Sequence, residues 1–126
     1  MNKFKNMSAE MKNSNLKPAL DLEFFRGVVG DDKEFEKELF EIFLDNSKKN
    51  IQLMESSIKS ADDNEWYMAS HAFKGSCASI GAFDLSKILE RAQNSNHSDN
   101  ETKTSILEEV KSGFKEVEQV IIAEIS

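Results

Sequence analysis

Cysteine occurs once in this sequence, at Cys77, so no internal disulfide can close and a reducing, intracellular setting is the expectation. Proline also occurs once, and five glycines in 126 residues are too few for a turn-rich β architecture; helices are favoured instead. No apolar run approaches the roughly 20 residues of a membrane-spanning helix, and the opening MNKFKNMSAEMKNSN lacks the apolar stretch of a signal peptide. A soluble, cytoplasmic protein is expected. Positive charge is the minority sign, with 16 Lys and Arg against 23 Asp and Glu and a formal net charge of −7. Nucleic acid and anionic membrane are therefore poor partners, because either wants a basic face. Histidine occurs twice, at His71 and His97, and neither has a glutamate three residues before it, as di-metal bundles require. With no second cysteine for zinc, no metal site is expected. There is no glycine-rich phosphate loop after a strand, and the length leaves no room for an ATP-binding kinase domain.

What is present is a series of amphipathic patterns. Residues 1–17, rich in Asn, Lys and Ser, read as a mobile N-terminal tail, although Phe4, Met7 and Met11 recur at helical spacing and leave open a short docking helix. Residues 18–126 read as one domain. Pro18 and Asp21 mark a helix start, and the segment to Val29 carries more apolar side chains than one face can bury. Gly30 ends it, and Asp31 with Glu34 forms a capping-box pattern for the next helix. That helix runs to about Ser60 on Phe35, Leu39, Phe40, Ile42, Phe43, Leu44, Ile51, Met54 and Ile58. Further stripes follow at Leu85, Ile88, Leu89 and Ala92, and at Ile106, Leu107, Val110, Phe114, Val117, Ile121 and Ile125. Between them the polar loop NSNHSDN holds His97, read as solvated. The expected fold is all-α, an antiparallel up-and-down four-helix bundle with a short additional N-terminal helix.

The stretch from Asn64 to Gly81, NEWYMASHAFKGSCASIG, is the centre of this pattern. At about 100° per residue, Trp66, Ala69, Phe73, Cys77 and Ile80 share one side, with Ser76 at its edge. Cys77 reads as a small buried hydrophobe. Phe73 lies roughly 200° from His71, so an inward Phe73 turns the imidazole outward. On the outward face stand Tyr67, Lys74, Gly75 and Ala78, three, four and seven residues from the histidine. Glycine inside a helix costs about 1 kcal/mol relative to alanine, so Gly75 implies a need for its missing side chain. A low floor beside an imidazole, with a lysine one turn away, suits a group delivered by another macromolecule better than a small substrate, which would want a concave pocket.

The run His71-Ala72-Phe73-Lys74-Gly75-Ser76, followed by Ile80-Gly81-Ala82, then Leu85 and Leu89-Glu90, resembles the histidine phosphotransfer (HPt) domain of multistep phosphorelays. That signature is a histidine, an apolar residue two on, then lysine and glycine, with a further glycine ten residues after the histidine. Phe73 stands where leucine is commoner, and Ser70 where alanine is commoner. The resemblance covers about Leu20 to Ile125. It implies a carrier without its own ATP site that accepts a phosphoryl group on His71 from a receiver-domain aspartate and passes it to another receiver. An ordinary imidazole, with a reference pKa of about 6.5, is largely neutral and nucleophilic near pH 7. Lys74 would stabilise phosphoryl charge, Gly75 would give access, and Gln93 would donate a hydrogen bond to a phosphoryl oxygen, with Lys87 and Arg91 adding positive potential.

Partner docking is expected at Tyr67, Met68 and Ala78, and at Phe24, Phe25 and Val28 of the first helix; the competing reading places the last three in the core. Partners would be response-regulator receiver domains or a hybrid histidine kinase. Magnesium is expected in the receiver's acidic site, leaving this chain, a monomer, with no cofactor of its own. Two alternatives stay open: a helical adaptor that binds a receiver or kinase without carrying phosphate, and the two-helix dimerisation module of a histidine kinase.

Overall fold

In the computed structural model, which describes residues 18–126, four helices begin at an aspartate whose carboxylate accepts the backbone N–H three residues on. Asp21 takes Phe24 N–H and opens α1 (Leu22–Val29), and Asp32 takes Phe35 N–H and opens α2 (Lys33–Ser60). Asp62 takes Glu65 N–H and opens α3 (Asp63–Ile80), and Asp99 takes Thr102 N–H and opens α5 (Asn100–Ile125). Each carboxylate satisfies an amide that the helix leaves unpaired and sits where the helix dipole favours negative charge. Only α4 (Phe83–Asn94) starts without such a cap, at Ala82. The α2 cap corrects the sequence reading: Asp32 does the work expected of Asp31.

Two-residue connections after α2 and after α3 reverse the chain, and α5 returns beside both α2 and α4, closing an antiparallel four-helix bundle. α1 leans across α2 and α3. The core contains Phe40, Phe43 and Met54 of α2, Trp66, Ala69, Phe73 and Cys77 of α3, Leu85, Leu89 and Ala92 of α4, and Val110, Phe114, Val117 and Ile121 of α5. The inward face expected for α3 is thus the buried one, and burial pushes the Cys77 thiol well above its usual pKa. Phe35 and Ile42, expected in the α2 stripe, are exposed, because α2 has more apolar positions than its contact face can cover. The N-terminal tail with Phe4, Met7 and Met11 lies outside the described residues.

Two devices fix α1. Phe25 stacks on Phe40 with ring centroids 4.5 Å apart, and Arg26 forks onto Glu36 of α2 while reaching Glu124 of α5 at 2.6 Å. The hydrogen bonds from Arg26 hold the buried Glu36 carboxyl below its usual pKa despite its burial. At the other end of α1, Asp21 N–H donates to the Gly81 carbonyl at 3.0 Å. Gly81 closes α3 with φ +92°, and a β-carbon there would lie 2.8 Å from the Asp21 carbonyl oxygen. Both the backbone angle and the close approach require glycine.

At the opposite end, Lys103 of α5 is buried and donates to Asp63 at 2.6 Å, with its ammonium 5.4 Å over the Trp66 ring. His97, exposed as expected, also has its Nδ1 3.1 Å from an Asp63 carboxylate oxygen. Lys103 first, then His97, holds the Asp63 carboxyl below its usual value.

Gly81→Ala should therefore cost more than the roughly 1–2 kcal/mol of a left-handed non-glycine residue, because the Asp21 carbonyl must also move; chemical denaturation measures it. A carboxyl whose pKa is depressed in the folded state contributes stability above its unfolded pKa and loses it as pH falls through the folded value. The Asp63 and Glu36 contributions should thus be intact at neutral pH and decline once pH drops below about 4. Melting temperature against pH should be flatter on the acid side in Asp63→Asn, which should also melt lower at neutral pH.

Candidate functional site

The geometry of the site starts from a bond on its buried side. Trp66 Nε1–H donates to the Ala92 carbonyl at 2.7 Å, with Trp66 and Ala92 both sealed from solvent. It ties the early part of α3 to the last turn of α4. Further along, Ser86 of α4 donates to the Lys74 carbonyl at 3.2 Å. With α3 and α4 pinned twice, the neighbours of the buried pair, Tyr67 and Gln93, meet on the outside. Gln93 Nε2–H donates to the Tyr67 hydroxyl at 3.4 Å. Gln93 Oε1 lies 3.2 Å from Nδ1 of His71.

His71 is exposed on the outward face of α3, as its position opposite Phe73 requires. Its ring lies nearly parallel to that of Tyr67, with centroids 6.0 Å apart and planes 6° apart. Among the described residues Nδ1 is engaged by Gln93 and Nε2 has no protein partner, so the second nitrogen is the one open to a reacting group. Gly75 is exposed, and a β-carbon there would meet nothing within 4 Å. The glycine is not forced by packing against the rest of the chain. Ala78, a turn further, is half-buried and continues the low floor.

Lys74 is half-buried, and among the described residues no carboxylate pairs with its ammonium. Arg91 is committed elsewhere: both of its terminal nitrogens donate to Glu109 of α5 at 2.9 Å, which keeps the Glu109 carboxyl below its usual pKa. Lys87 is exposed with no ion pair among the described residues. Gln93 reaches the site, with its amide oxygen 3.2 Å from the imidazole and its nitrogen 3.4 Å from the Tyr67 hydroxyl.

Of the docking residues, Met68 is 58% exposed and Val28 66%. Phe24 is partly exposed, edge-on to Phe83 at 5.0 Å, and lies against Gly81 at the far end of α3 from Trp66. Phe25 is 1% exposed and corrects the docking expectation: its stack on Phe40 places it in the core. An apolar groove of ≈ 270 Å³ runs between α1, α2 and α3, with Val28, Leu39, Ile42 and Ile80 among its lining and Ser76 and Ser79 on its α3 side. Ile42 belongs to the apolar pattern of α2 yet is exposed, because periodicity alone does not say where a neighbouring helix stops covering a stripe. Among the described residues no group of three His, Cys, Asp or Glu converges, and no helix is long and apolar enough to cross a membrane.

The described residues thus form a helical bundle that carries a solvent-facing imidazole beside a bare stretch of helix and a lysine without a carboxylate partner. The sequence matches the Hpt domain family over residues 38–120, and the chain belongs to that family, the histidine phosphotransfer intermediates of phosphorelays. Among solved structures it is similar to histidine-containing phosphotransfer protein B (HptB) from Pseudomonas aeruginosa PAO1, with TM-score 0.79 and 18% identity over 87% of this chain and 96% of that one. At that identity the likeness bears on the fold. Among curated proteins no sequence matches significantly.

Gly75→Ala should stabilise the chain by about 0.5–1 kcal/mol, since the position is helical, open and without a steric need for glycine. Denaturant midpoints at unchanged slope would report it. An unchanged or lower midpoint would mean that the glycine has a packing reason after all.

Proposed function

We propose that His71 is the phosphoacceptor: its Nε2 takes a phosphoryl group from an aspartyl phosphate on one receiver domain and returns it to the aspartate of another. With the ring proton on Nδ1, the Nε2 lone pair attacks phosphorus while the acyl phosphate P–O bond breaks and the receiver carboxylate departs. The ring becomes a phosphoimidazolium that still carries Nδ1–H toward Gln93. No base is needed, because the attacking nitrogen has no proton to lose. In the reverse step the leaving group is a neutral imidazole. The observation that carries this reading is the exposed His71 ring, gripped at Nδ1 and open at Nε2.

Lys74 faces a group of roughly −1.5 to −2 charges. A unit pair at about 4 Å is worth about 1 kcal/mol in water and about 4 at an effective dielectric of 20, and a site this open sits toward the lower figure until a partner covers it. Gly75 and Ala78 let the receiver surface approach. Met68, Val28 and Phe24 offer apolar contact, with Tyr67 at the rim. The receiver's acidic pocket holds the magnesium, and the chain itself is a monomeric, cytoplasmic carrier with no ATP site.

Mixing the protein with phosphorylated receiver domain should transfer an acid-labile, alkali-stable label. In His71→Gln the label should be absent while receiver binding persists. Label retained in that variant would reassign the site, and an unaltered downstream response in cells carrying it would favour the adaptor.

A further inference from the structure

Contacts at both ends of the outward seam fix the register of α4 against α3. Ser86 donates to the Lys74 carbonyl, and Gln93, two turns further along α4, meets Tyr67 and His71. The two helices run antiparallel, so the α4 residues between Ser86 and Gln93 stand level with the stretch of α3 that holds His71. Glu90 is on that same ridge, four residues after Ser86 and three before Gln93, and it is exposed. Three residues displace it from Gln93 by about 4.5 Å along the helix axis. Gln93 itself lies 3.2 Å from the imidazole. A carboxylate at Glu90 therefore stands within a Debye length of the ring, which is about 10 Å at 0.1 M salt. Among the described residues no ion pair engages it, and its neighbour Arg91 is forked onto Glu109. Lys74 across the seam and Lys87 one turn earlier on α4 are likewise without a carboxylate partner there, so both signs of charge face whatever His71 carries.

We propose that Glu90 sets the balance of phosphoryl transfer, keeping phosphorylated His71 a donor rather than a store. The inference rests on His71 as the phosphoacceptor. On acceptance the acyl phosphate P–O bond of the receiver breaks as the P–N bond on His71 forms, and the onward step reverses the exchange. No atom is gained or lost between the two partners, so the position of equilibrium follows from what surrounds the phosphoryl group at each end. At His71 that group brings roughly −1.5 to −2 charges into the seam, where Lys74 attracts it and Glu90 repels it. Lys74 by itself favours retention. Glu90 raises the free energy of the phosphorylated carrier and leaves the unphosphorylated one, with its neutral ring, almost unchanged. A relay intermediate must release what it accepts, and a like charge built into its own surface favours release to any receiver.

The test is the equilibrium itself. Full-length protein and a phosphorylated receiver domain, dilute enough to be unbound at the end, are mixed until the label distribution between them is constant, at low and at high salt. Glu90→Gln should move the distribution about two- to fivefold toward His71 at low salt, the factor that one solvent-screened charge exerts on a nearby dianion, and the shift should shrink at high salt. Glu90→Lys should move it further in the same direction. Glu116→Gln removes an equal, exposed charge from α5, the helix diagonally across the bundle from α3, and should leave the distribution as in wild type. A merely structural role for Glu90 would not produce a salt-dependent equilibrium. A distribution unmoved in Glu90→Gln, a shift matched by Glu116→Gln, or a shift that high salt leaves intact would each overturn the proposal. Wild-type protein that takes no label on His71 would sink the phosphoacceptor reading and this proposal with it, whereas label on His71 with an unmoved distribution in the variant sinks the Glu90 proposal alone.

Discussion

The hydrogen bond from Trp66 Nε1 to the Ala92 carbonyl sets the geometry on which the outward face depends. It is made inside the core, between two groups that would each be expensive to bury unpaired, so it is strongly preferred over any arrangement in which α3 slides along α4. The residues next in sequence inherit its register. Tyr67 follows Trp66 and points outward, Gln93 follows Ala92 and points outward, and the two meet beside His71. Lys103 lies over the same indole and pairs with Asp63 at the start of α3, so the end of the bundle near Trp66 is held from a third side. An exposed site gains order from a bond that no solvent reaches.

That arrangement answers a difficulty of any solvent-facing imidazole. A ring in water rotates, exchanges its proton between nitrogens and has few neighbours to restrain it. Here the restraint comes from groups that leave Nε2 bare: Gln93 and Tyr67 lie against the ring, while Gly75 and Ala78 keep the helix surface beside it low. Positive charge is rationed in the same sense. Arg91 is tied to Glu109 and Arg26 to Glu36 and Glu124, whereas Lys74, one turn from the imidazole, has no carboxylate partner among the described residues of a chain of net charge −7.

Much of this was legible in the sequence because it depends on periodicity. The inward set Trp66, Ala69, Phe73, Cys77 and Ile80 is the buried set, and His71 on the opposite side is exposed. Gly81 as a turn with close packing follows from its position after the stripe, and its φ of +92° is that reading in coordinates. What sequence did not carry was tertiary pairing. Glu36 and Lys103 are charged residues at core positions, buried only because Arg26 and Asp63 reach them from other helices. Asp31 and Asp32 are equivalent as letters, and the choice between them depends on where the chain leaves Gly30. Ala61 adopts a left-handed cap where no glycine signalled one. Phe25 and Phe24 are adjacent aromatic residues, and only the stack on Phe40 says which of them is inside.

The Gln93 contact shows the limit most clearly. Family resemblance placed a glutamine near the histidine, but not which end of its amide would face the ring, and that end determines the chemistry. An amide nitrogen beside Nδ1 would pair with a ring whose proton is on Nε2; an amide oxygen there pairs with a ring whose proton is on Nδ1. The second arrangement is made within the bundle, between α3 and α4.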